Sequence, residues 1–207
     1  MSIDKTRRFK AVDQRETSLI DLPTLRRQCE IVATEIDSDG VEVHPDDELL
    51  LGYLEAAVDH AEDFLGEAVG LNTFEIALDE FPDGNIELPR GPYVDLVSFY
   101  VGDESDGIVD PDSYTVDDYG QRAELVPVTT WPTVLAATNT IKIRWRAGYS
   151  TTVEGAPRLP KVYQQALLLL VGHFYANRED ATEKALATIP NGFEALLRPR
   201  RVRLGMA

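Results

Sequence analysis

The feature that most restricts this chain is a double change of apolar period. Leu50, Leu54, Ala57, Ala61, Phe64, Leu65 and Ala68 recur at steps of three and four, which predicts one amphipathic helix from about Pro45 to Val69 with Gly70 as its stop. Asp46, Asp47 and Glu48 fall in its first turn, where carboxylates favour the positive end of the helix dipole. From Thr73 to Tyr149 the period becomes two, as in Phe74-Glu75-Ile76-Ala77-Leu78, Asn85-Ile86-Glu87-Leu88 and Ile141-Lys142-Ile143-Arg144-Trp145. After Pro157 and Pro160 the helical period returns over Lys161 to about Asn177. Val162, Ala166, Leu169, Leu170 and Phe174 form the expected stripe there, widened by Leu167, Leu168 and Val171.

This pattern predicts an α+β fold: a helical core of two long and several short helices with an inserted small antiparallel β-domain. Pro82-Asp83-Gly84, Gly91-Pro92, Asp106-Gly107 and Asp110-Pro111 punctuate the β-region into five or six strands. Asp21 caps a short helix from Leu22 to about Cys29, with Pro23 in its first turn. A further short helix is expected over Asp180–Ala187, and a last turn over Phe193–Leu197 before Pro199. The expected divisions are a mobile basic arm over 1–17, a helical core over 18–72 and 151–197, the β-domain over 73–150, and a C-terminal arm over 198–207.

Charge is distributed unevenly. The formal net charge is −16, yet Cys29 to Thr140 holds 27 Asp and Glu against two basic residues, Arg90 and Arg122. Lys5, Arg7, Arg8, Lys10 and Arg15 crowd the start, and Arg198, Arg200, Arg201 and Arg203 crowd the finish. A body this acidic is unsuited to gripping DNA, which requires clustered Lys and Arg against phosphate. No apolar run approaches the roughly 20 residues of a membrane span, so no membrane partner is expected. The polar start shows no signal-peptide pattern, and the single Cys29 excludes an intrachain disulfide, in keeping with a cytosolic product.

Catalytic and metal motifs are not evident. His44, His60 and His173 lack a second His at metal-type spacing, and Cys29 lacks a nucleophile signature and reads as a small buried side chain. Asp37-Ser38-Asp39-Gly40 with Glu42, and the cluster Asp103, Asp106, Asp110 and Asp112, miss the calcium-loop spacing and read as turn chemistry. No cofactor, catalytic residue or metal ligand is expected. The C-terminal arm alternates basic with apolar residues over Arg201, Val202, Arg203 and Leu204, a pattern suited to ordering on a partner.

Four stretches, taken in order, resemble the tailed-bacteriophage head–tail connector (adaptor) family, in its subgroup with an inserted β-domain. They are Leu22–Cys29, the helix from Asp46 to Phe64, the β-region closing on Arg146-Ala147-Gly148-Tyr149, and Leu159-Pro160 through Asn177-Arg178-Glu179 to Leu196-Leu197-Arg198-Pro199-Arg200-Arg201-Val202. The resemblance implies a structural subunit of a twelve-membered ring in the virion neck, made in the host bacterial cytoplasm. Its implied partners are the portal protein, a tail-side neck (stopper) or tail protein, and further copies of itself, with DNA passing through the ring without specific binding. It further implies that Arg198, Arg200, Arg201, Val202, Arg203 and Leu204 reach the portal. The acidic helix face of Glu55, Asp59, Glu62 and Asp63 is then expected toward the DNA channel or solvent, since unpaired carboxylates are costly to bury. Two alternatives stay open: another neck or tail-completion protein, and a metal-dependent carboxylate-rich enzyme.

Overall fold

Helical and two-residue periods both materialise, giving a mixed α+β fold in the computed structural model. The structure describes residues 8–13, 15–16, 18–32, 35–36, 38–40, 42–103, 107–120, 122–135, 137–178 and 191–201. In chain order the elements are β1 (Arg8–Ala11), α1 (Leu22–Gln28), β2 (Glu35–Ile36), β3 (Glu42–Val43), α2 (Asp47–Leu65), β4 (Asn72–Leu78), β5 (Ile86–Glu87), β6 (Tyr93–Val101), β7 (Tyr114–Asp117), β8 (Glu124–Pro127), β9 (Ile141–Ala147), α3 (Lys161–Ala176) and α4 (Asn191–Leu197). They fall into two compact units. One gathers Met1–Glu16 with Gly70–Pro157, the other Thr17–Val69 with Arg158–Ala207. Among the described residues no helix is long and apolar enough to cross a membrane.

In the β unit, one antiparallel sheet has the order β1-β4-β9-β6 and a second has the order β5-β8-β7. Alternation on β9 sets the two faces of the first sheet. Ile141, Ile143, Trp145 and Ala147 are fully buried, while Lys142, Arg144 and Arg146 point to the other side. Phe99 of β6 meets Tyr114 of β7 at 5.1 Å between ring centroids, so the second sheet packs on the apolar face of the first.

Arg8–Ala11 departs from the sequence reading, which placed it in a mobile arm. It forms an edge strand in register with β4, pairing Arg8 with Ala77 and Lys10 with Glu75. Phe9 supplies the apolar anchor, stacking on Phe74 at 5.4 Å beside Trp145. A four-residue strand with one large apolar side chain carries too little period to be read locally, and long-range pairing decides it.

The three places where the β unit's chain begins or ends lie side by side. The Glu16 N–H donates to the Leu71 carbonyl at 2.9 Å, Leu71 N–H to the Tyr149 carbonyl at 2.9 Å, and Ser150 N–H to the Pro157 carbonyl at 3.1 Å. The Ala147-Gly148-Tyr149 strand end belongs to this junction, where Gly148 takes φ +120°.

In the helical unit, Asp21 Oδ1 accepts the Thr24 N–H at 2.9 Å and caps α1 as expected. Helix α2 stops earlier than its apolar pattern suggests. Gly66 takes the left-handed conformation at φ 75° and ends it, not Gly70. Ala68 and Val69 are still buried, which is why the stripe reads on past the true end. Leu50, Leu54, Ala57, Val58, Ala61 and Leu65 form the buried face of α2. On α3 the buried face is Tyr163, Ala166, Leu167, Leu168, Leu170 and Val171, rotated from the expected stripe, and Val162, Leu169 and Phe174 are only partly covered. A helix that is apolar around most of its circumference does not fix its own orientation. Asp180–Ala187 lies outside the described residues.

Candidate functional site

Spacings of four, seven and eight put Glu55, Asp59, Glu62 and Asp63 on one face of α2, with Glu55, Asp59 and Asp63 exposed and Glu62 partly buried. Glu62 has a structural task that the sequence reading missed: its Oε1 accepts the Val69 N–H at 2.8 Å, closing the turn after Gly66. No basic residue occupies the last turn of α2, so Glu62 and Asp63 sit at the negative end of the helix dipole.

At the other end of α2 the carboxylates do more than favour the dipole. The Asp46 side chain makes no capping bond to its own helix. It accepts the Tyr175 hydroxyl at 2.7 Å and the Arg178 guanidinium at 3.0 Å, and the tyrosine bond is the chief cause holding its carboxyl below the ordinary range. Asp47 accepts Arg26 Nε at 2.8 Å and the His44 N–H at 2.8 Å, and Arg26 also donates to the Glu42 carbonyl at 2.9 Å. The Arg26 bond lowers the Asp47 carboxyl, and Arg26 is itself buried. The bonds from Arg26, Tyr175 and Arg178 tie α1 and the α3 end to the start of α2, long-range contacts that no local motif announces, whereas the His44 bond is local.

The C-terminal segment starts from a firm base. Phe193 and Leu197 of α4 are buried, and a 3-10 turn follows over Arg198–Arg200. Arg198 donates to Glu194 Oε2 at 2.9 Å, Arg200 lies over the Tyr163 ring at 5.7 Å, and Arg201 over the Phe64 ring at 5.3 Å. All three are exposed. Val202, Arg203 and Leu204 lie outside the described residues.

The histidines take separate places. His60 lies tilted against Phe193 at 5.2 Å between ring centroids, His173 tilted against Phe174 at 6.3 Å, and His44 Nδ1 accepts the Asp46 N–H at 3.0 Å. Cys29 is half-buried at the end of α1, and burial pushes its thiol upward. Asp110 Oδ1 accepts the Asp112 N–H at 3.0 Å, which is turn chemistry, whereas Asp37 and Asp106 lie outside the described residues. Among the described residues no group of three or more His, Cys, Asp or Glu is arranged to hold a metal ion.

The sequence reading passed over the outward face of the first sheet. Lys10 Nζ and Arg144 Nε meet the two oxygens of Glu75 at 2.8 and 2.6 Å, and Arg146 Nε meets Asp95 at 2.7 Å. Burial resists ionisation of Glu75, but the bonds from Lys10 and Arg144 outweigh it and hold the carboxyl below its ordinary value. Lys142 lies over the Tyr100 ring at 5.6 Å, and Arg8 donates to Asp79 at 3.0 Å and Asn139 at 2.7 Å.

No protein-family model matches the chain, and no curated protein matches it in sequence. Chains of solved structures are similar in fold, among them three from GTA particles. A chain from the neck of an empty GTA particle computed with C6 symmetry is 21% identical with TM-score 0.73, over 97% of this chain and 98% of that one. A chain from the virion of a native gene transfer agent (GTA) particle gives 21% identity and TM-score 0.73 over 96% and 98%. One from the neck of a native GTA particle computed with C12 symmetry gives 20% and 0.70 over 97% and 98%. At this identity the likeness shows a shared fold along nearly the whole of both chains.

Proposed function

We propose that the chain is a structural subunit of a virion neck, a head–tail connector that forms a ring of about twelve copies by repeated head-to-tail contact. The observation that carries this reading is the end-to-end likeness to chains from a GTA particle neck, with TM-score 0.73 over 97% of this chain and 98% of the other. The order of sequence motifs supports the same assignment. On this reading the ring sits beneath the portal, receives a stopper or tail protein on its far side, and lets DNA pass without specific binding or any catalytic step. The exposed carboxylates of Glu55, Asp59 and Asp63, with Glu62, face the channel and repel phosphate. Arg198, Arg200, Arg201, Val202, Arg203 and Leu204 reach the portal, starting from the anchored end of α4.

The test is the mass of the purified full chain with and without isolated portal rings, by native mass spectrometry and electron microscopy. The expected result is a closed ring of this chain bound to portal. A chain that neither self-associates nor binds portal overturns the assignment. A ring that binds only assembled tails transfers the reading to a tail-completion protein.

A further inference from the structure

Most of the molecule's surface chemistry is acidic, with 36 Asp and Glu against 20 Lys and Arg. The outward face of the β1-β4-β9-β6 sheet is an exception. Arg8 and Lys10 on β1 and Lys142, Arg144 and Arg146 on β9 share it by strand register, because Lys10 pairs with Glu75 and Glu75 with Arg144, while Arg8 pairs with Ala77 and Ala77 with Lys142. Opposing them on this face are Glu75, Asp79 and Asp95. Among the described residues, five cations share this face with three carboxylates, an excess of positive charge in an acidic unit. The Arg8 and Lys10 side chains are 50% and 64% exposed, so their charge is presented outward at the sheet edge.

The opposite layer of the same unit carries the complementary feature. β7 is the edge strand of the second sheet; its last residue, Asp117, is exposed, as are Asp118 and Tyr119 in the turn that follows. Asp117 Oδ1 accepts the Tyr119 N–H at 3.1 Å, which fixes the turn, and the Tyr119 side chain is fully exposed. A protruding tyrosine preceded by two carboxylates has the make-up of an interface anchor beside an acidic edge. The cationic face is on the outside of one sheet and this tip belongs to the sheet packed on its inside. The two charge patches therefore sit on different sheets of one β unit, and a repeating heterologous contact needs two such distinct surfaces.

We infer that the cationic sheet face of one copy receives the Asp117-Asp118-Tyr119 tip of the next copy, making the subunit contact of the ring. This rests on the ring reading above. Duplex DNA is the less favoured occupant, because interleaved Glu75, Asp79 and Asp95 would repel phosphate along the same face.

The experiment uses the full chain in two charge-reversed forms, Lys10→Glu with Lys142→Glu, and Asp117→Lys with Asp118→Lys. The second pair lies in an exposed turn, so it tests the contact even if the first perturbs the sheet; melting curves check folding of both. Association is followed by sedimentation, with and without portal rings. Each form alone is expected to associate about tenfold more weakly than wild type, and wild-type association is expected to weaken from about 0.1 M to about 1 M salt. Mixed in equal amounts, the two forms are expected to recover association, because each then offers the other an opposite charge in an alternating ring. If the folded Asp117→Lys, Asp118→Lys form assembles like wild type, or mixing restores nothing, the contact is wrong while the ring stands. A wild-type chain that never assembles, even on portal, overturns both. DNA binding lost in the Lys10→Glu, Lys142→Glu form with association untouched gives the face to a phosphate backbone and overturns the contact.

Discussion

A Cβ placed on Gly148 would lie 2.3 Å from the carbonyl oxygen of Gly70, and Gly148 itself has φ +120°. Both facts demand glycine. The two backbones touch where β4 begins and β9 ends, and a side chain would push them apart while straining its own conformation. Gly148→Ala is expected to lose at least about 1–3 kcal/mol from backbone strain alone, read as a lower denaturant midpoint. A near-neutral variant would show that the junction can open without cost.

The bond from Arg26 to Asp47 is largely covered, with side-chain exposures of 7% and 15%. Removing the guanidinium leaves a carboxylate poor in solvent, so Arg26→Ala is expected to cost about 3 kcal/mol. Double-mutant analysis with Asp47→Ala should find the two losses strongly non-additive.

Acid should unfold the protein through the same groups. The carboxyls of Asp47, Asp46 and Glu75 are all lower in the folded chain than their ordinary values. A lowered folded-state pKa contributes stability that is fully present above the unfolded values, about 3.9 for Asp and 4.3 for Glu. That stability is lost as pH falls through the folded values. Denaturant midpoints measured from about pH 7 to about pH 3 are therefore expected to stay level at first and to fall below about pH 4. The Arg26→Ala variant should show a shallower fall.

Phe193 is fully buried between His60 and Phe64, whereas Phe64 is only partly covered. Phe193→Ala is expected to cost about 3–5 kcal/mol. Phe64→Ala should cost clearly less, although Phe64 belongs to the apolar stripe of α2. Thermal melts of the two variants decide the order.

On the connector reading proposed above, removing Val202–Ala207 is expected to leave thermal stability nearly unchanged and to abolish binding to portal rings. Replacing Glu55, Asp59 and Asp63 by Lys is expected to slow DNA passage through the assembled neck. Wild-type portal binding by the truncated chain would move the contact elsewhere, with Lys5–Lys10 the next segment to truncate.

What could be read beforehand followed how one-sided each pattern was. Helix α2 was legible because Leu50, Leu54, Ala57 and Ala61 stand opposite Glu55, Asp59 and Asp63. On α3, Leu167, Leu168, Leu169 and Leu170 follow one another, and only packing chooses among them. The start of α1 was legible from Asp21, since capping is a local demand. The close approach of Gly148 to Gly70 was not, because the two glycines are distant in sequence. The sheet's cationic face was not, because it is assembled from Lys10, Glu75 and Arg144, which are distant in sequence and meet only through strand pairing.

The division of the helical unit between Thr17–Val69 and Arg158–Ala207 sets an order of events during synthesis. Helix α2 emerges with α1 but not α3 available to cover Leu50, Leu54, Ala57 and Leu65, and the buried residues of α3 follow only after the whole of residues 70–157. At about 5–20 residues per second the apolar stripe waits for seconds without its α3 cover. The β unit, whose chain crossings are laced together by the Glu16, Leu71 and Ser150 amides, can close during that interval and deliver the two halves of the helical unit from one place.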